Sequence, residues 1–198
     1  MKALLVIDVQ NDFYESGQLP IPEASLINQP INQLLNSMEY ELIVASQDWH
    51  PADHLSFATN HQNKKSFVTY DNQPGIGPLL WPVHCVQKTQ GAKFNPEINT
   101  EKFDYILRKG KLKTVDSYSA FADNDGSNLG LAGLLNSLKV DEIDICGLAF
   151  DYCVKYTALD GIKNNFKVNI IGNATKAVAP EQETQLKDEL KKAGIIIK

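Results

Sequence analysis

Short runs of branched aliphatic residues recur along the chain, separated by stretches whose apolar positions follow helical spacing. KALLVID at 2–8, ELIVAS at 41–46, DYILR at 104–108, DEIDIC at 141–146, FKVNII at 166–171 and III at 195–197 predict six strands. Between them, residues 23–39 place Ile27, Ile31, Leu34, Leu35 and Met38 on one side of a helix. Further helices are predicted over 127–138, 151–164 and 181–193, the last charged and amphipathic. Near-continuous apolar strands alternating with helices are the pattern of a parallel sheet covered on both faces. The predicted fold is therefore α/β: a doubly wound parallel sheet of about six strands with helices on both faces.

One region breaks this rhythm. From Gln47 to Lys102 neither a clear strand nor a long helix is predicted, yet the stretch carries five of the nine prolines and all four histidines. A loop this long inside a compact domain usually serves a function. No internal repeat or low-complexity linker interrupts the chain. The expected organisation is one domain over 1–198, with a site-forming insertion at about 47–102.

Composition narrows the classes. Nineteen basic against 24 acidic residues give a formal charge of −5, without the basic footprint of a nucleic-acid binder. No apolar run approaches the roughly 20 residues of a membrane helix. Met1 leads straight into an apolar strand, with no basic segment or cleavage site of a secretory signal. Three cysteines, Cys85, Cys146 and Cys153, are too few and too unevenly spaced for a disulfide scaffold. These features predict a cytoplasmic location, with neither nucleic acid nor membrane as partner.

In open α/β sheets, ligands bind beyond the carboxyl ends of the strands. Asp8 closes the first predicted strand, Asp48 and His50 follow the second, Lys109 the third, and Cys153 the fourth, where a helix begins. Residues far apart in sequence would thus meet on one rim. A thiol in the first turn of a helix is favoured as thiolate by the helix dipole; the plainer alternative for Cys153 is a small core side chain. Cys146, in mid-strand, reads as core, and Cys85 is ambiguous. Asp8 can act as a general base at an apolar boundary or can cap a loop. Lys109 can stand beside an anion or in solvent. Asp48 and His50 form a D-x-H pair whose side chains share one face of an extended segment. His84 would complete a two-histidine, one-carboxylate set suited to Zn²⁺, Fe²⁺ or Mn²⁺, with His54 a spare; the alternative is four ordinary polar loop residues.

The segments IDVQNDF at 7–13, SQDWHP at 46–51, WPVHCVQ at 81–87, RKG at 108–110, DSYSAF at 116–121 and CGLAFDYCVKYTA at 146–158 occur in one order. In that combination the chain resembles the nicotinamidases, the metal-binding branch of the isochorismatase-like hydrolases. The resemblance implies a catalytic triad of Asp8, Lys109 and Cys153. It implies metal ligation by Asp48, His50 and His84, with His54 a less secure ligand, and an oxyanion hole from the backbone N–H groups of Ala149 and Cys153. Phe13, Trp81 and Tyr118 match aromatic positions around the substrate ring, and Leu148–Ala149 matches a cis peptide. The implied activity is hydrolysis of nicotinamide to nicotinate and ammonia through a cysteine thioester, in NAD salvage. The implied cofactor is one divalent ion, foremost Zn²⁺, with Fe²⁺ or Mn²⁺ as alternatives. Pyrazinamide cleavage and homo-oligomer formation are left open. Phe150 departs from a threonine found in many relatives, which bears on pocket shape. Another small-amide or ureido hydrolase of the superfamily is the nearest alternative. A non-haem iron oxygenase would leave Cys153 and Lys109 idle, and a binding module would be expected to lack a member of the triad.

Overall fold

The computed structural model describes all 198 residues. Six strands form one parallel sheet: β1 (Lys2–Ile7), β2 (Leu42–Asp48), β3 (Tyr105–Lys109), β4 (Glu142–Leu148), β5 (Lys167–Lys176) and β6 (Ile196–Ile197). Their spatial order is β3-β2-β1-β4-β5-β6, with β1 paired to both β2 and β4. The chain therefore winds outward from β1 to one edge, then returns to the other side of β1. That reversal opens a crevice between the carboxyl ends of β1 and β4, the place where ligands bind in such sheets.

The central strands are buried at nearly every position, so the sheet is covered on both faces. A contiguous core of 46 residues packs around it, with Leu4, Val6, Ile143, Ile145 and Cys146 wholly buried. Four α-helices accompany the strands: α1 (Asn28–Asn36), α2 (Leu131–Ser137), α3 (Lys155–Lys163) and α4 (Glu183–Lys192). The α/β prediction and the order of elements hold.

The differences are at the ends of elements. The helix expected over 23–39 is a 3₁₀ turn at Ala24–Ile27 followed by α1, which stops at Asn36. Ser37 turns extended and its hydroxyl donates to the Leu34 carbonyl at 2.9 Å. Met38 therefore lies beyond the helix and is 99% exposed, not on its buried face. β2 runs two residues past Ser46, so Asp48 ends the strand, and Lys109 likewise ends β3. Alternation cannot fix such boundaries, because polar residues at a functional rim look like loop. Between β2 and β3 lie only 3₁₀ turns and isolated bridges, as expected of the proline-rich stretch.

Candidate active site

Asp8 follows β1 in a left-handed conformation (φ 47°), which turns its carboxylate back into the crevice. The Ser46 hydroxyl of β2 donates to Asp8 Oδ1 at 2.7 Å. Lys109 reaches in from β3 and is fully buried. Its Nζ lies 2.9 Å from Asp8 Oδ2, donates to the Ser117 carbonyl at 2.9 Å and to Cys153 Sγ at 3.3 Å, and is ion-paired with Asp48 Oδ1. Oxygen and sulfur atoms of Asp8, Asp48 and Cys153 all lie within 4.8 Å of one another. Asp8 and Cys153, two members of the expected triad, thus meet the ammonium group of the third, Lys109.

Cys153 sits in a π-turn (Phe150–Val154) whose Val154 N–H reaches the Ala149 carbonyl, and α3 continues directly from it. Such turns are frequent at functional sites. The Leu148–Ala149 peptide before it is cis. Close approach of β4 to β1 requires glycine at 147, where φ is +106° and a Cβ would lie 2.1 Å from the Ile7 carbonyl oxygen. The carboxylate of Asp151 accepts the Val178 and Ala179 N–H groups at 2.9 Å and so brings the segment after β5 to the mouth of the crevice.

Burial dominates the protonation equilibria. It pushes the Cys153 thiol well above its ordinary value, despite the opposing pull of Lys109. Burial thus opposes the thiolate bias of the helix start, and the thiol needs a base within reach. Burial also raises the Asp8 carboxyl, against the attraction of Lys109. Lys109 is driven the other way: burial alone would lower it, but Asp48 and Asp8 hold it charged. The result is a thiol raised by burial and a basic carboxylate on either side of a fixed cation.

Asp48, His50 and His84 form a second constellation beside the first. Asp48 is positioned by Gln10, whose Nε2 donates to the Asp48 carbonyl at 2.8 Å and whose Oε1 accepts the Asp48 N–H at 2.7 Å. His50 Nδ1 faces the Gly110 carbonyl at 2.9 Å and His84 Nδ1 faces the Pro82 carbonyl at 2.8 Å. Each carbonyl accepts an N–H, which leaves both Nε2 atoms as lone-pair donors. These stand 3.6 and 3.9 Å from Asp48 Oδ2, too far for hydrogen bonds. Two imidazoles and a carboxylate, oriented by backbone and separated by a gap, fit a divalent cation. Burial lowers His84 to about 4, so it is neutral at pH 7. Burial also pulls His50 down, but the neighbouring Asp48 carboxylate turns its net shift upward. Gly110 is required here: its φ is +61°, and a Cβ would lie 2.4 Å from the His50 ring.

His54 stands slightly apart. Its Nδ1 is 2.7 Å from the Ser56 hydroxyl and its Nε2 is 3.0 Å from the Val115 carbonyl, so both ring nitrogens are engaged. Its neighbours within ligand range are His50 and Asp116 rather than Asp48 and His84.

Cys153 of the first constellation and all three residues of the second line one cavity. Phe13, Trp81 and Tyr118 line it, as expected, with the Trp81 indole N–H donating to the Tyr118 hydroxyl at 2.9 Å. Phe150 does not: it is 1% exposed and packs in the core. Several lining residues escaped the sequence reading. Asp116 and Ser117 lie in the DSYSAF segment and could have been found there; Val178 follows β5 and fits the strand-end rule. Leu19 and Ile21 come from the loop before α1 and carry no signal. Cys85 and Cys146 are buried and unpaired, and neither lines this cavity.

The isochorismatase domain profile matches residues 2–197. A nicotinamidase of Acinetobacter baylyi is 43% identical over 178 residues, covering 89% of this chain and 81% of that protein. The solved nicotinamidase/pyrazinamidase of Acinetobacter baumanii superimposes with a TM-score of 0.93 at 39% identity, covering 99% of this chain and 94% of that one. The Pyrococcus horikoshii pyrazinamidase, solved in complex with zinc, gives 0.82 at 36% identity, covering 100% and 98%. With a match that spans almost every residue, the chain belongs to the isochorismatase domain family.

Proposed function

We propose that this protein hydrolyses nicotinamide to nicotinate and ammonia, in NAD salvage. The observation that carries the reading is Lys109, a fully buried ammonium in contact with Asp8, Asp48 and Cys153 at once. The nicotinamidase relatives supply the substrate class; the chemistry follows from the residues. We take the chain as one domain whose 47–102 insertion provides the two histidines and Trp81 of the aromatic wall.

In this reading Asp8 takes the proton of the Cys153 thiol, and Lys109 stabilises the thiolate as it forms. The thiolate attacks the carboxamide carbon. The N–H groups of Ala149 and Cys153 hold the oxyanion, a contribution of about 2.7–4 kcal/mol for each donor. Asp8 then gives its proton to the departing nitrogen, ammonia leaves, and a thioester remains on Cys153. In the second half Asp8 takes a proton from water as its oxygen attacks the thioester. Nicotinate is released, and the thiolate recovers its proton from Asp8. A carboxyl raised by burial suits this alternation, because it accepts a proton more readily than a solvated one and can return it.

Asp48, His50 and His84 would hold a divalent ion, which we take to be Zn²⁺. When bound, the ion supplies a Lewis-acidic anchor for the pyridine nitrogen. Phe13, Trp81 and Tyr118 would sandwich the ring and exclude water. The same pocket would accept pyrazinamide, which keeps a ring nitrogen in the same place relative to the amide. Ammonia release from nicotinamide by the metal-loaded protein tests the proposal. Release that disappears in Cys153→Ala supports it; no release from the native protein, or undiminished release from the variant, defeats it.

A further inference from the structure

Asp116 is a buried carboxylate that the scheme above does not use. It lies in the cavity wall, 3% exposed, in the segment that also supplies Ser117 and Tyr118. Its backbone is fixed at both ends: the N–H donates to the Gly75 carbonyl at 2.8 Å, and its own carbonyl accepts the Asn124 N–H at 2.8 Å. Oδ1 accepts the Ser117 N–H at 2.9 Å. Oδ2 is buried and has no hydrogen-bond partner. No lysine, arginine or histidine forms an ion pair with it, whereas Asp48 has Lys109. Leaving a buried carboxylate oxygen unmet is costly, and such atoms in folded proteins call for a reason.

The surroundings supply one. Ligand atoms of His50, His54 and Asp116 lie within 4.8 Å of one another. His54 is already engaged on both nitrogens. His50 presents its Nε2 toward Asp48 and is oriented through Nδ1 by Gly110. Asp116 lines the same cavity as Asp48, His50 and His84. Three protein donors leave a divalent ion with coordination positions for water.

We propose that Asp116 is a positioning residue for the divalent ion: its free Oδ2 accepts a hydrogen bond from a water ligand of the ion held by Asp48, His50 and His84. Its charge, unmatched by any protein cation, adds to the affinity. The inference rests on the reading of those three residues as a metal centre.

Asp116→Asn tests it, since asparagine keeps the shape and the Oδ1 contact but removes the charge. Zn²⁺ and Co²⁺ affinity is measured by competition with a chromophoric chelator for the wild type, Asp116→Asn, Asp116→Ser and Asp48→Asn. Asp116→Asn should still bind one ion per chain but about 10–100-fold more weakly, the usual effect of losing an outer partner. Its Co²⁺ absorption bands should keep their positions, because the direct ligands are unchanged. The metal-free variant should melt no lower than the metal-free wild type, because an uncompensated buried charge has gone. Unchanged affinity in both Asp116 variants overturns the inference while leaving the metal centre intact. Shifted Co²⁺ bands overturn it differently, by making Asp116 a direct ligand. A wild type that binds no ion, with Asp48→Asn indistinguishable from it, removes the metal centre itself and the inference with it.

Discussion

The sheet carries two clusters of buried charge, and they are built on opposite principles. Around Asp144 of β4, every demand is met: its carboxylate, 2% exposed, accepts the Tyr40 hydroxyl at 2.8 Å, the Asn169 amide at 2.6 Å, and Lys2 and Lys198 at 2.8 and 3.2 Å. Both lysines extend outward and keep contact with solvent. Burial would raise the Asp144 carboxyl, but these four donors outweigh it and hold the group below its usual range. Around Lys109 the ammonium and Asp8 are shut off from solvent, two carboxylates compete for one cation, and burial raises both Asp8 and Cys153. The first cluster has one protonation state and serves stability. The second keeps a proton within reach of two acceptors, which is what acid–base chemistry requires.

The sharpest way to break the comparison is at its reactive end. Cys153→Ala should lower kcat by about 10⁴-fold or more with the melting temperature nearly unchanged, read by ammonia release and calorimetry. Lys109→Met should damage both properties, since it leaves two carboxylates facing each other in a dry site; a loss of about 3–5 kcal/mol in denaturant unfolding is expected. Asp144→Asn should do the reverse of Cys153→Ala, costing about 1–3 kcal/mol of stability with kcat retained. The sign with pH follows from the depressed native carboxyl. Its contribution is complete above the unfolded value and is lost as pH falls through the native one. The gap in unfolding free energy between wild type and Asp144→Asn should therefore stay constant above about pH 5 and close below about pH 4. A gap that widened in acid would refute this account of the cluster.

Smaller effects sharpen the comparison. Gly110→Ala should weaken metal binding more than it weakens the fold, because the new Cβ meets the His50 ring and the strained φ adds a cost of about 1 kcal/mol; chelator competition beside thermal melting separates the two. Met38→Ser should change unfolding free energy by less than about 0.5 kcal/mol, as befits a side chain fully in solvent.

These contrasts also explain what could be read from the sequence. The six strands were legible because each is a short apolar run between polar segments, and the rule that sites gather at strand ends then placed Asp8, Asp48, Lys109 and Cys153 together. Met38 misled because helical spacing continues past Asn36, while the stop is set by Ser37 folding back on Leu34, which no periodicity records. The helix start favours a thiolate at Cys153 locally, while burial contributed by distant segments raises the thiol, an effect no local pattern records. Gln10, Ser46 and Gly110 set the geometry of the reactive groups through contacts 38 or 60 residues away, with no local signature. Asp144 carries no signal of its partners, since the third acid of DEIDIC reads as one more surface position.

The central place of β1 has a consequence in time. Of the six strands of the sheet, the one synthesised first lies in its middle, and its partner β4 is far behind: the Leu5 carbonyl and Cys146 Sγ, in contact in the finished protein, are separated by 141 residues. At roughly 5–20 residues per second of synthesis, the apolar segment waits on the order of ten seconds for the strand that completes its second edge. Pairings of this range are slow to form and leave strand edges open meanwhile. The nascent chain is thus expected to bind chaperones until β4 has emerged. Ribosome-bound chains that stop before Glu142 should be cleaved readily by protease within residues 2–7, and chains that extend past β5 should resist.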